Sequence, residues 1–233
     1  MAKNIKKRSA SHIYFGVNKL TGELKHISEV PSGQKCNCIC AACLQPFEAR
    51  KGTRRCHHFA HVSNYECMYA SEAAIYKAFA EALKQSGFLA LPPVILRFPA
   101  WHDPELLQEA RRMKIDSVAF ECEPLSYPPL LRVTMQGTPL RILLDFDRYY
   151  DDDDRVELAE EAKAEDYSLL LISMPKIDQD TEFTPDRLQS ALQDNDRTEW
   201  VFSRLEEQWK QKYYAVAVSP PEHGTGNLCP ISF

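Results

Sequence analysis

The chain has 233 residues, 44% of them hydrophobic and 26% charged, enough to bury a core and to form one good-sized domain or two small ones. No apolar run approaches the roughly eighteen residues that cross a bilayer, and no apolar segment follows the basic start MAKNIKKRS. A membrane partner and a secretory signal are therefore set aside, and a cytoplasmic, thiol-reducing setting is expected. The formal net charge of −5 argues against indiscriminate binding of polyanions, yet residues 1–63 carry 11 Lys and Arg against 3 Asp and Glu, and the remainder 17 against 30. One end is a basic module that either meets phosphate or neutralises the acidic remainder.

In chain order, HIYFGVNKLTGELKHISEV (12–30) predicts a β-hairpin around the turn-type cluster Asn18 to Gly22. Six of the eight cysteines and three of the seven histidines then fall between Cys36 and Cys67. Within that stretch Phe47–Arg50 and Arg54–Phe59 are placed to pair across Lys51-Gly52. SEAAIYKAFAEALKQSG predicts a helix that Ser71 caps and Gly87 ends, with Ile75, Phe79, Ala82 and Leu83 at helical spacing. Pro92-Pro93 and Pro99 predict a loop, IDSVAFE (115–121) a strand, and LLRVTM and PLRILLDFD a hairpin around Gln136-Gly137.

DDDDRVELAEEAKAED predicts a helix whose leading aspartates suit the positive end of its dipole, and YSLLLISM (167–174) a buried strand. From 70 to 175 the order is helix, three strands, helix, strand. A further helix is expected from about Asp196 to Tyr213, with Trp200 and Trp209 as core anchors, followed by a Pro- and Gly-rich tail. The class is α+β: a zinc-bound β module over 1–68, an αβββαβ domain over 69–180, and a helix and tail over 181–233.

The cysteine stretch carries the clearest chemistry. Zinc takes four N or S ligands in a tetrahedron, and a CxxC turn supplies two sulfurs from one knuckle, here Cys40 and Cys43. A hairpin turning near Lys51-Gly52 returns His58 and His61 beside Cys43, and Cys67 follows. Four of Cys40, Cys43, His58, His61 and Cys67 are expected to hold a structural zinc, the choice among the last three being open. Cys36, Cys38, Cys56 and His57 are in excess, as a second site or, for the cysteines, as buried or incidental thiols.

The ordered set TGELKHISEV, CNCICAAC, ARKG, HHFAH, EC and SEAAIYKA resembles the competence protein CoiA-like family. The likeness covers about 12–85 and, more weakly, about 115–202. It implies a Cys/His zinc module followed by a nuclease domain of the PD-(D/E)XK type, acting on DNA with Mg²⁺ or Mn²⁺. By position, the family's first-helix glutamate falls on Glu72, with Tyr76 where a histidine is usual, and its strand-borne acid on Glu121. Pro129 stands where a metal-binding aspartate is expected. Asp145 takes the place of a glutamate, and Asp147 that of a basic or polar partner. On one strand face Asp145 and Asp147 would lie about 7 Å apart, near enough to share a hard cation. The plain alternative is a strand leaving the core, its acids in water. DNA would approach through Arg50, Lys51, Arg54 and Arg55. The degenerate motif implies a divergent or inactive relative that binds DNA or, through its acidic face, a protein. The alternative is an active metal-dependent deoxyribonuclease.

Overall fold

A computed structural model describes residues 12–54, 56–63, 67, 69–97, 103–122, 129–146, 150–174, 184, 186, 188, 190 and 195–218, with residues 195 and 214–218 described by their backbone alone. Strands β1 (Phe15–Asn18) and β2 (Leu24–His26) form the predicted hairpin. Its turn is closed by Asn18, whose Oδ1 accepts from the backbone N–H groups of Leu20 and Thr21 at 2.9 and 3.1 Å. The two-residue strand β3 (Cys38–Ile39) adds to the far side of β1. A second hairpin, β4 (Phe47–Arg50) and β5 (His58–His61), pairs Phe47 with His61 and Arg50 with His58. The return strand thus begins at His58, not at the expected Arg54.

The two small sheets lie close because Gly16 has no side chain. A Cβ there would sit 3.0 Å from the Cβ of Cys38 and 3.3 Å from the ring of Phe47.

Helix α1 (Ala70–Ser86) starts after Tyr69, not at a Ser71 cap; the Ser71 hydroxyl instead donates to the carbonyl of His12 at 3.3 Å. Gly87 ends the helix as expected, in the left-handed region at φ 67°. Nearly every side of α1 is buried, because it is wedged between two layers. Tyr14, Phe47 and Phe59 pack with it from the N-terminal module. Leu131, Val133, Ile142 and Leu144 join the same core from a larger sheet.

After α1 the expected loop is instead a two-tier β-arm. Strands β6 (Phe88–Leu91) and β9 (Arg111–Lys114) pair, as do β7 (Val94–Leu96) and β8 (Glu105–Gln108). Pro92-Pro93 separates β6 from β7: the prolines interrupt pairing but suit extended backbone.

The larger sheet has the order β10 (Ser117–Glu121), β11 (Leu130–Met135), β12 (Thr138–Phe146), β13 (Ser168–Met174), β14 (Thr198–Phe202). All neighbours are antiparallel except β12 and β13, which are parallel and joined through α2 (Asp152–Ala164). Asp151 caps α2 reciprocally with Asp154. Arg141 on β12 binds Glu161 and Glu165 at 3.3 and 2.6 Å and stacks over Tyr167, fastening α2 to the sheet.

The helix expected from Asp196 is shorter. Trp200 lies on β14, and α3 (Arg204–Val218) begins after Ser203, whose hydroxyl accepts from the Glu206 N–H at 3.4 Å. Trp200 packs against the core, but Trp209 is a third exposed and is no core anchor.

Candidate metal centre

Cys40 opens a tight knuckle. Its N–H donates to the Gln45 carbonyl at 2.9 Å, its carbonyl accepts from Leu44 at 3.1 Å, and its Sγ accepts from the Ala42 N–H at 3.4 Å. Leu44 takes the left-handed conformation at φ 60° that closes the turn. This brings the Cys40 and Cys43 sulfurs to one side. The β4–β5 hairpin returns His61 to the same place, its Nε2 lying 3.2 Å from the Cys43 Sγ. Cys67, just before α1, places its Sγ 3.9 Å from that of Cys40.

The donor atoms of Cys40, Cys43, His61 and Cys67 all lie within 4.8 Å of one another. Tetrahedral zinc, with bonds of about 2.3 Å to sulfur and about 2.0 Å to nitrogen, sets edges of about 3.8 Å (S···S) and 3.5 Å (S···N). The Cys40–Cys67 and Cys43–His61 edges match to within a few tenths of an ångström and the remaining edges are no longer than 4.8 Å, so these four residues form a candidate metal site whose donor set and spacing are consistent with zinc. All four positions of the tetrahedron are protein side chains. That is the pattern of a structural site, not one with a place for substrate.

The electrostatics agree. Cys67 is lowered to about 6, first by its hydrogen bond from Cys40, then by one from Cys43 and by the backbone N–H groups of Tyr69 and Ala70, against the opposing effect of burial. Cys40 goes the other way, raised by the same contact with Cys67 and by burial, so one proton is shared between them. A cation takes the place of that proton. Burial raises the Cys43 thiol and lowers His61, keeping the imidazole neutral, as a ligand must be.

His58 is left out. Its Nδ1 faces the Cys56 carbonyl at 2.9 Å and its ring meets that of His12 at 4.4 Å. The excess thiols Cys36 and Cys38 are buried and donate to the carbonyls of Phe47 and Cys36, at 3.3 and 3.2 Å. Burial pushes Cys38 up to about 12, the mark of an inert thiol. Cys122, which the sequence did not single out, lies beside the centre: burial pushes it up to about 11, with smaller effects from Cys67, Glu72 and Cys43.

The acidic residues are arranged differently. Glu72 in the first turn of α1, Glu121 at the end of β10 and Asp145 near the end of β12 all lie at one end of the sheet. They do not converge: among the described residues the Cys/His set is the one group of three or more metal-type ligands drawn together. Strand alternation explains why. Leu144 and Phe146 pack on the core shared with α1, so Asp145 between them projects from the opposite face to the one that carries Glu72. Glu121 pairs with Arg132 at 3.0 Å.

Asp145 is nonetheless only 3% exposed, so the strand has not run out into water there. Asp147 lies outside the described residues. The β11–β12 ladder ends at the Leu131–Ile142 pair, and the Leu144 N–H donates instead to the Tyr76 hydroxyl at 2.7 Å. Pro129 would stand opposite Leu144 if the register continued.

Of the expected basic contacts, Arg50 is paired with Glu48 at 2.8 Å, and the Lys51 ammonium donates to the carbonyls of Ser28 and Val30. Arg54 is exposed, and Arg55 lies outside the described residues. No helix among the described residues is long and apolar enough to cross a membrane. No protein-family model, curated protein or solved structure matches the chain.

Proposed function

We propose that the chain is a zinc-clasped, CoiA-like protein on a PD-(D/E)XK-type scaffold that acts in DNA handling by binding, not by cutting. The observation that carries the zinc part is the convergence of Cys40, Cys43, His61 and Cys67, whose donor atoms all lie within 4.8 Å of one another. The scaffold part is supported by the order α1, β10–β12, α2, β13 with a parallel β12–β13 pair. The non-catalytic part is supported by Pro129 in place of an aspartate, by Glu121 held by Arg132, and by the opposed faces of Glu72 and Asp145. Phosphodiester hydrolysis through Mg²⁺ needs carboxylates aimed at one point.

One observation favours a second reading, an active Mg²⁺- or Mn²⁺-dependent deoxyribonuclease: Asp145 is buried at the sheet end that also holds Glu72. Purified full-length chain, incubated with labelled single- and double-stranded DNA and Mn²⁺, separates the two. Binding without cleavage is the expected result. Cleavage abolished both by chelator and by Asp145→Asn moves the assignment to the nuclease. Neither binding nor cleavage removes DNA and leaves the exposed acids of α2, among them Asp152, Asp153, Glu157 and Glu160, as the contact for a basic protein partner.

A further inference from the structure

At the other end of the sheet, the β-arm, the β11–β12 turn and the start of α3 line a half-open cavity of about 350 Å³. That volume is at the lower end of the range for small-molecule pockets, about 300–1,000 Å³. Leu91, Met113, Met135, Leu140 and Trp200 give it an apolar interior. The indole of Trp200 is fixed as one wall, because its Nε1 donates to the Pro92 carbonyl at 3.2 Å.

The charge on the lining is one-sided. Arg111 and Arg204 line the cavity and, among the described residues, no carboxylate does, in a chain whose acids outnumber its Lys and Arg by 33 to 28. Arg204 is anchored through its backbone N–H to the Ser168 hydroxyl at 3.2 Å and through Nη2 to Asp166 at 2.8 Å. Its Nε is buried with no hydrogen-bond partner. Arg111, on β9, is exposed and forms no ion pair among the described residues.

We infer that this cavity binds a small molecule with a flat apolar body and one anionic head group. The body lies among Trp200 and the two methionines, and the head group meets Arg111 beside Arg204. A buried apolar surface supplies affinity, and the few charged groups at the rim set orientation. The cavity borders Met135–Leu140, whereas the metal centre adjoins Cys122 at the far end of β10, so the inference stands apart from the zinc and DNA readings.

The probe is anilinonaphthalene sulfonate, a flat apolar anion, set against neutral N-phenylnaphthylamine, which shares its skeleton without the sulfonate. Fluorescence titration of the folded full chain is expected to show one saturable site for both. Arg111→Gln weakens the sulfonate at least tenfold and leaves the neutral probe unchanged. Gln208→Phe, at an exposed α3 position on the lining, weakens both. Unchanged melting temperature and metal content show that each variant is folded. No saturable binding to the wild type overturns the inference, and so does sulfonate binding that Arg111→Gln leaves unaltered or neutral-probe binding that Gln208→Phe leaves unaltered.

Discussion

His58 and His61 sit three positions apart on β5, and a strand sends residues at odd spacing to opposite faces. Only one can face the cysteine knuckle, and it is His61. His61→Ala is therefore expected to lower zinc affinity by more than the roughly 10–100-fold that follows loss of a group supporting a ligand. His58→Ala should leave stoichiometry and affinity unchanged. Competition with a chromophoric chelator measures both; a loss in His58→Ala equal to that in His61→Ala would reverse the assignment.

The CxxC pair and the position of Cys67 were legible because ligand spacing is a local property. HFAH taken as a strand with period two also decides between the histidines, since only one of them can face the knuckle. Cys36 and Cys38 were not. Their thiols turn toward backbone carbonyls because β1 packs against the second hairpin at Gly16, and spacing does not reveal that packing.

Among elements, α2 was the most readable, since its aspartate run marks the N-terminus by charge and by capping chemistry together. Asp151 accepts from the Asp154 N–H at 3.0 Å, and its own N–H meets the Asp154 carboxylate at 3.2 Å. Asp151→Ala is expected to cost about 1 kcal/mol. Urea unfolding followed by circular dichroism checks it; a midpoint equal to wild type would mean the cap contributes nothing.

The β-arm is hard to see in the sequence because its strands are three or four residues long and Pro92-Pro93 separates two of them. Such short runs look like loop until a partner arrives, and the partner of β6 lies beyond both prolines and β8. The helix expected from about Asp196 starts eight residues later, because Trp200 belongs to β14. Ser203 followed three residues later by Glu206 is a helix-start signature, and it places the boundary where the structure has it.

For the whole molecule, the deciding relation is that α1 serves two layers. A cation in the candidate site would fasten one layer to the start of that helix, so its removal should loosen the N-terminal module and uncover the α1 face beneath it. Acid acts in the same direction. The Cys67 pKa of about 6 lies below its ordinary value of 9.0, so its stabilising contribution is complete above about pH 9 and is lost as pH falls through 6. His61, lowered by burial from 6.5, adds a loss on further acidification. Chelator is therefore expected to strip zinc faster at about pH 5.5 than at about pH 8, with a parallel drop in melting temperature. Calorimetry with and without chelator at each pH measures both; stripping that is slower in acid would contradict the ligand set.

The ligands run from Cys40 to Cys67, and α1 ends at Ser86, before the first residue of the five-stranded sheet at Ser117. A chain leaving the ribosome therefore exposes the four candidate ligands and its central helix before the sheet has emerged. The later strands would then assemble on a helix already in place, and if the site takes a cation, the yield of native protein is expected to follow the supply of metal during synthesis.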